Sequence, residues 1–137
     1  MTFKKTMEEF DRKTPAGAVG YFRDCLKNGN VAGALACFDP QGLYIDRSGK
    51  EMKGLQQIEM AMKSLCILKP LIVGSSAHIT IVEDLAMWMD KWTMRGKTPD
   101  GHHLEMNGHT SCILKRNEAG IWLWLVDNPF GAAILED

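Results

Sequence analysis

Trp122-Leu123-Trp124-Leu125-Val126-Asp127-Asn128-Pro129-Phe130 is the strongest strand signal in the chain. Aromatic and β-branched residues favour extended backbone, and the Asp-Asn-Pro that follows stops it. Side chains alternate along a strand, so Trp122 and Trp124 share one face and Ile121, Leu123 and Leu125 the other. Both faces are apolar, which predicts cover on both sides. The stretch is therefore expected at the centre of a curved sheet, with helices against one face and another chain against the other.

Going back along the chain, Thr14-Pro15 starts a helix with a capping hydroxyl and a proline at the first helical position. Val19, Phe22 and Leu26 give it one apolar stripe, and Asn28-Gly29 closes it. Asn30 caps a second, short helix carrying Val31, Leu35 and Phe38, which Asp39-Pro40 is expected to end. Leu43 to Asp46 reads as a short strand, Arg47 to Lys50 as a turn, and Glu51 to Lys53 as its return. Gly54 opens a third helix with Leu55, Ile58, Met62 and Leu65 on one face, ending by Pro70. Residues 1–13 are a polar leader in which Met7 and Phe10 have helical spacing.

The period then changes from about 3.6 to 2. Leu71 to Val82 is strand-like with a bend at Gly74-Ser75-Ser76, and Glu83-Asp84 turns the chain. Leu85 to Arg95 and His102 to Arg116 are long strands joined through Pro99-Asp100-Gly101. Asn117 to Gly120 leads into the Trp122 strand. Helices first and hairpins afterwards predict an α+β fold rather than alternating β-α-β units.

The chain has 137 residues, 45% hydrophobic and 24% charged, with a net charge of −1. This predicts one domain over residues 1–137. Lysine and arginine are scattered, which argues against nucleic acid as a partner. No apolar run approaches the roughly 20 residues of a membrane helix. The N-terminus lacks the apolar centre of a secretory signal, so the expected location is the cytoplasm. Cys25, Cys37, Cys66 and Cys112 form no CxxC pair, and no HxH or HExxH spacing occurs. Neither a metal site nor a cofactor is expected.

Several local patterns occur together in a telling order: Leu26-Lys27-Asn28-Gly29-Asn30 with Phe38, then Gly49 to Gly54 before a helix. Asp84-Leu85-Ala86 with Trp92 follows, then Pro99-Asp100-Gly101, and finally Gly120-Ile121-Trp122 through Asp127-Asn128-Pro129. In this the chain resembles the SnoaL-like, ketosteroid-isomerase-like branch of the nuclear transport factor 2-like superfamily, over residues 15–130. The resemblance implies a cone-shaped barrel, with three N-terminal helices packed in the concave face of a strongly bent mixed or antiparallel sheet. It also implies a pocket between helices and sheet, and a homodimer through the sheet's outer face. The apolar outer residues Leu85, Met87 and Met89 point to the same dimer, since a solvent-facing sheet should alternate apolar with polar.

Ketosteroid isomerases combine an Asp base with an oxyanion hole of Tyr and a protonated Asp. Carried over by resemblance, the base falls on Asp46, the tyrosine on Phe22 and the protonated Asp on Cys112. Tyr21, next to Phe22, is turned about 100° away along the helix. Two of the three groups are thus missing. Asp90 shares parity with Ala86, Trp88, Trp92 and Met94, the expected cavity face. It is either a cavity acid or base of raised pKa, or a partner of a neighbouring cation, or solvated at a bulge. Asp127 and Asn128 either hold a polar ligand group or bond the turn backbone. Trp88, Trp92, Trp122 and Trp124 are core residues that suit a small apolar or cyclic ligand where they reach the cavity. Two function classes stay open: a cofactor-independent isomerase, dehydratase or hydrolase using Asp90 or Asp46, and a non-catalytic ligand-binding or dimeric interaction module.

Overall fold

The computed structural model describes residues 10–136. The polar leader lies outside it apart from residues 10–13. Helix α1 spans Pro15–Lys27, α2 Val31–Leu35 and α3 Gly54–Cys66. The Thr14 hydroxyl accepts from the Gly17 amide at 3.0 Å, so the predicted cap is made. Gly29 ends α1 in the left-handed region at φ +68°. Ala18, Val19, Phe22, Cys25 and Leu26 are the buried face of α1, and Ile58, Met62 and Cys66 that of α3.

One boundary differs from the sequence reading. Helix α2 stops at Leu35, and β1 (Phe38–Ile45) runs straight through Asp39-Pro40. Proline has no N–H to give to a ladder. The sheet accommodates it because pairing of β1 with its neighbour is interrupted between Phe38 and Leu43. The Asp39 carboxylate accepts from the Gln41 amide at 2.9 Å inside that interruption. Phe38 is therefore a strand residue, not a helical one.

The remaining strands are β2 (Glu51–Lys53), β3 (Leu71–Gly74), β4 (His78–Val82), β5 (Leu85–Met89), β6 (Lys91–Lys97), β7 (His103–His109), β8 (Cys112–Arg116) and β9 (Trp122–Asp127). One sheet has the order β2-β1-β9-β8-β5-β4 and a second the order β3-β6-β7. The Trp122 strand is thus interior to the larger sheet, as its two apolar faces predicted. It pairs parallel with β1 and antiparallel with β8, which makes the sheet mixed.

The two long strands of the sequence reading are each broken once, β5 from β6 at Asp90 and β7 from β8 at Thr110-Ser111. Both breaks fall at the corner where the sheets meet. There the Thr110 amide donates to the Asp90 carbonyl at 2.9 Å, and the Asp90 amide donates to the Thr110 hydroxyl at 2.8 Å. Alternation survives the corner: Ala86, Trp88, Asp90, Trp92 and Met94 are all buried, while Met87, Met89 and Thr93 are exposed. The bent sheets do not close into a barrel. They form an open cone, with α1 against β3 and β9 and α3 against β1 and β2.

Candidate binding cavity

A cavity of about 100 Å³ lies between α1, the end of α3 and the inner faces of both sheets. Phe22 and Leu26 enter it from α1, Trp92 and Met94 from β6, Met106 from β7 and Trp124 from β9. Strand alternation brings the sheet residues inward together, and helical spacing does so for Phe22 and Leu26. Phe22 stacks edge-on against Trp124 with centroids 5.7 Å apart. Trp92 meets Phe130 at 5.9 Å and donates its indole N–H to the Pro129 carbonyl at 2.6 Å. Gly108 leaves room for that indole, since a Cβ there would stand 2.7 Å from it.

Four polar side chains reach this apolar wall: Arg23, Tyr44, Thr110 and Asp127. Asp127 ends β9 and is buried. Burial pushes its pKa from the ordinary 3.8 up to about 7, against the lowering effects of a hydrogen bond from Cys112 and of the Arg23 charge. The Cys112 thiol lies 3.5 Å from Asp127 Oδ1, behind the wall. Burial and then the Asp127 charge raise that thiol well above its usual range. Tyr44 pairs with Asp127 across the parallel ladder, and burial followed by the Asp127 charge raises its phenol as well. The cavity therefore holds a carboxyl present in both protonation states near neutral pH.

Asp90 stands differently from either cavity role considered for it. Its side chain is fully buried but is not part of the cavity wall. Arg23 grips both carboxylate oxygens, at 2.9 Å and 3.2 Å, and Thr110 donates to Oδ1 at 2.8 Å. A carboxylate held by a bidentate arginine and a hydroxyl has its lone pairs engaged. Parity alone placed Asp90 inward, and the cation partner from α1 then decides its role. Its partner Arg23 reaches the wall in its place.

Asp46 lies on the turn after β1, outside the cavity. Its Oδ1 accepts from the Ser48 hydroxyl at 2.7 Å and from the Ser48 and Lys50 amides at 2.9 Å each. The hydrogen bond from Ser48 is the largest cause of its lowered pKa. Asn128 takes the turn alternative: its Oδ1 accepts from the amides of Phe130 and Gly131, opening a 3-10 turn over Gly131–Leu135. Trp88 is core, its buried indole N–H without a hydrogen-bond partner among the described residues. Of the residues singled out from sequence, Phe22, Trp92, Trp124 and Asp127 come together, with Cys112 behind them. Arg23, Tyr44 and Thr110 went unnoticed. Arg23 follows Val19 by one helical turn, so a cation beside the apolar stripe of α1 was the available signal.

Among the described residues no group of three His, Cys, Asp or Glu side chains is arranged to hold a metal ion. No helix among them is long and apolar enough to cross a membrane.

No protein-family model matches the chain, and no curated protein sequence matches it. Solved structures do. A protein of Xanthomonas campestris described as a candidate calcium/calmodulin-dependent protein kinase II association domain is 17% identical, with a TM-score of 0.73 over 93% of this chain and 92% of that one. A nuclear transport factor 2-like superfamily protein of Salmonella enterica is 13% identical, with a TM-score of 0.72 over 81% and 83%. A candidate ketosteroid isomerase of Shewanella frigidimarina is 19% identical, with a TM-score of 0.67 over 85% and 95%. At such identities the likeness speaks for the fold. The chain has the α+β cone fold of the nuclear transport factor 2-like superfamily, whose ketosteroid-isomerase-like branch its residue pattern resembles.

Proposed function

We propose that the protein binds a small cyclic carbonyl compound in the cavity and moves a proton on it with the Asp127 carboxyl. The observation that carries this reading is one buried carboxyl, titrating at about 7, on an otherwise apolar wall of Trp92, Trp124, Phe22 and the methionines. A general acid or base works best when its pKa lies near the working pH. Asp127 would take the proton from the carbon beside the carbonyl. Arg23, oriented by Asp90, would place positive charge near the negative charge that develops. The cavity sets the size of the ligand. An apolar cavity of about 150 Å³ holds benzene, so about 100 Å³ takes about four heavy atoms as it stands, which is the reactive end of a small ring.

Cyclopentanone is a suitable probe. The expected result is a shift of the Met94 and Met106 methyl resonances on its addition, with exchange of its α-hydrogens in D2O above the buffer rate. That exchange should rise with pH through about 7, as Asp127 becomes the base, and vanish in Asp127→Asn. Exchange no faster than buffer would remove the catalytic part, and unmoved methyls would remove the binding part as well.

The outer sheet face supports a second reading, an assembly of two chains. Leu85, Met87, Met89 and Ile113 are 38–47% exposed on neighbouring strands β5 and β8. An apolar patch of this kind marks an interaction surface. Light scattering should give twice the 15.3 kDa chain mass, and Met87→Lys should halve it. A monomeric wild type would refute the dimer and leave the cavity reading intact.

A further inference from the structure

Of the four polar side chains on the cavity wall, three already have partners. Arg23 gives both Nη groups to Asp90, at 2.9 Å and 3.2 Å. The Thr110 hydroxyl donates to Asp90 Oδ1 and accepts from the Asp90 amide, at 2.8 Å each. Asp127 Oδ1 faces the Cys112 thiol at 3.5 Å. Tyr44 is the exception: it is 5% exposed, and its hydroxyl makes no hydrogen bond among the described residues. The fully enclosed polar side-chain atoms without a hydrogen-bond partner among those residues are Arg12 Nε and Trp88 Nε1. The Tyr44 oxygen is not one of them, so it meets open space, and the space that Tyr44 lines is the cavity. The sheet also sets this hydroxyl beside the acid. Tyr44 on β1 and Asp127 on β9 are directly opposite in a parallel ladder. Paired residues share a face, and neighbouring strands run about 4.8 Å apart. The phenol and the carboxyl therefore reach the cavity from one side. Helix α1 brings Phe22, Arg23 and Leu26 to the wall and no hydroxyl. Phe22, where the resemblance placed a tyrosine, is held edge-on by Phe38 and Trp124, with centroids 5.8 Å and 5.7 Å away.

We propose that the Tyr44 hydroxyl donates a hydrogen bond to the ligand's carbonyl oxygen, and so fixes which carbon of the ligand faces Asp127. This rests on the reading of the cavity as a site for a small cyclic carbonyl compound. A buried hydroxyl without a partner has given up its hydrogen bonds to water, and an acceptor oxygen on the ligand restores one. A hydrocarbon ring restores none, so the cavity selects for the carbonyl. The carbonyl oxygen and the hydrogen on the adjacent carbon are neighbours in the ligand, as Tyr44 and Asp127 are in the sheet. When Asp127 takes that hydrogen as a proton, the C–H electron pair becomes a C=C bond and the carbonyl π pair moves onto oxygen. The new charge then sits against the Tyr44 hydroxyl. Tyr44 keeps its own proton, because burial first, and then the Asp127 and Asp46 charges and Cys112, raise its phenol. Arg23, with its Nη groups on Asp90, acts as a nearby charge and Tyr44 as the direct donor.

The test is the infrared carbonyl stretch of cyclopentanone bound to the whole protein. In wild type the stretch should lie at lower wavenumber than in an apolar solvent. It should stay there at pH 8, where Asp127 has lost the proton it could donate. In Tyr44→Phe the displacement should vanish, binding should weaken about fivefold, and α-hydrogen exchange should fall about a hundredfold. Cyclopentane, followed by the Met94 and Met106 methyl resonances, should bind wild type and Tyr44→Phe alike. The variant should unfold at the wild-type urea concentration, since its hydroxyl has no protein partner to lose. A lower midpoint would show that the hydroxyl is already taken within the fold and would overturn the assignment. So would a displaced stretch that survives in Tyr44→Phe, which makes Arg23 the donor, or one lost in wild type as pH rises through about 7, which makes it Asp127. A Tyr44-dependent stretch without α-hydrogen exchange would keep the anchor and remove only the proton transfer by Asp127. A probe that moves no methyl in wild type would remove the cavity reading and this inference together.

Discussion

Replacing Asp127 by asparagine keeps the shape of the side chain and removes its ionisation. In the unfolded chain Asp127 releases its proton near 3.8, and in the folded chain only near 7. The folded state therefore binds more protons between these values, and stability falls as pH rises. The contribution of Asp127 is fully present below about pH 3.8, is lost progressively up to about pH 7, and is flat above. At about 1.4 kcal/mol per pH unit, the interval from 3.8 to about 7 amounts to about 4 kcal/mol. Asparagine has no proton to lose and should escape that cost. Urea unfolding of wild type and Asp127→Asn, measured from pH 4 to pH 8, isolates this one group because Tyr44 and Cys112, which its charge shifts, are raised by burial and stay protonated over that range. The two proteins should be similar near pH 4 and diverge steadily, with the variant more stable by about 4 kcal/mol at pH 8. Parallel stability curves would refute the reasoning, and a wild type that gains on the variant with rising pH would mean that Asp127 is ionised and paired.

Arg23→Met leaves the Asp90 carboxylate buried without its cation and should cost about 3–5 kcal/mol, read by urea unfolding. Adding Asp90→Leu should restore much of that loss, and strictly additive costs would show that the pair is not coupled. Gly74→Ala brings a Cβ to 2.5 Å from both Arg23 Nη1 and Asp90 Oδ2, and should cost about 1–3 kcal/mol, less when combined with Arg23→Ala. Asp46→Ala loses three acceptor contacts in an exposed turn and should cost about 1 kcal/mol at pH 7. Because the Asp46 pKa is lowered on folding, that difference should shrink as pH falls below the ordinary 3.8, while cyclopentanone binding stays unchanged.

Local chemistry was legible wherever a few neighbouring residues settle the matter. The Thr14 cap, the Gly29 stop, the Arg47 to Lys50 turn and the interior Trp122 strand all follow from capping, left-handed glycine and period-2 alternation. Alternation even carried through the corner at Asp90, so the inward set of Trp88, Asp90, Trp92 and Met94 was readable. Asp39-Pro40 misled because proline normally ends an element. Whether it does so here depends on an interrupted ladder with β9, more than eighty residues away along the chain. Of the candidate site, sequence supplied the aromatic wall and Asp127 as one alternative among several.

The amino-acid order alone established the α+β architecture, the order of its elements and which side of the Leu85 to Arg95 stretch faces inward, because those depend on contacts within a few residues. The roles of the carboxylates came from distant partners. Asp90 is neutralised by Arg23, which is 67 residues away in the chain. Asp127 is buried instead, with no cation in contact among the described residues, and so keeps its proton to about pH 7. A carboxylate's pKa is set by the charges and the water within a few ångströms, and only the folded chain says which residues those are.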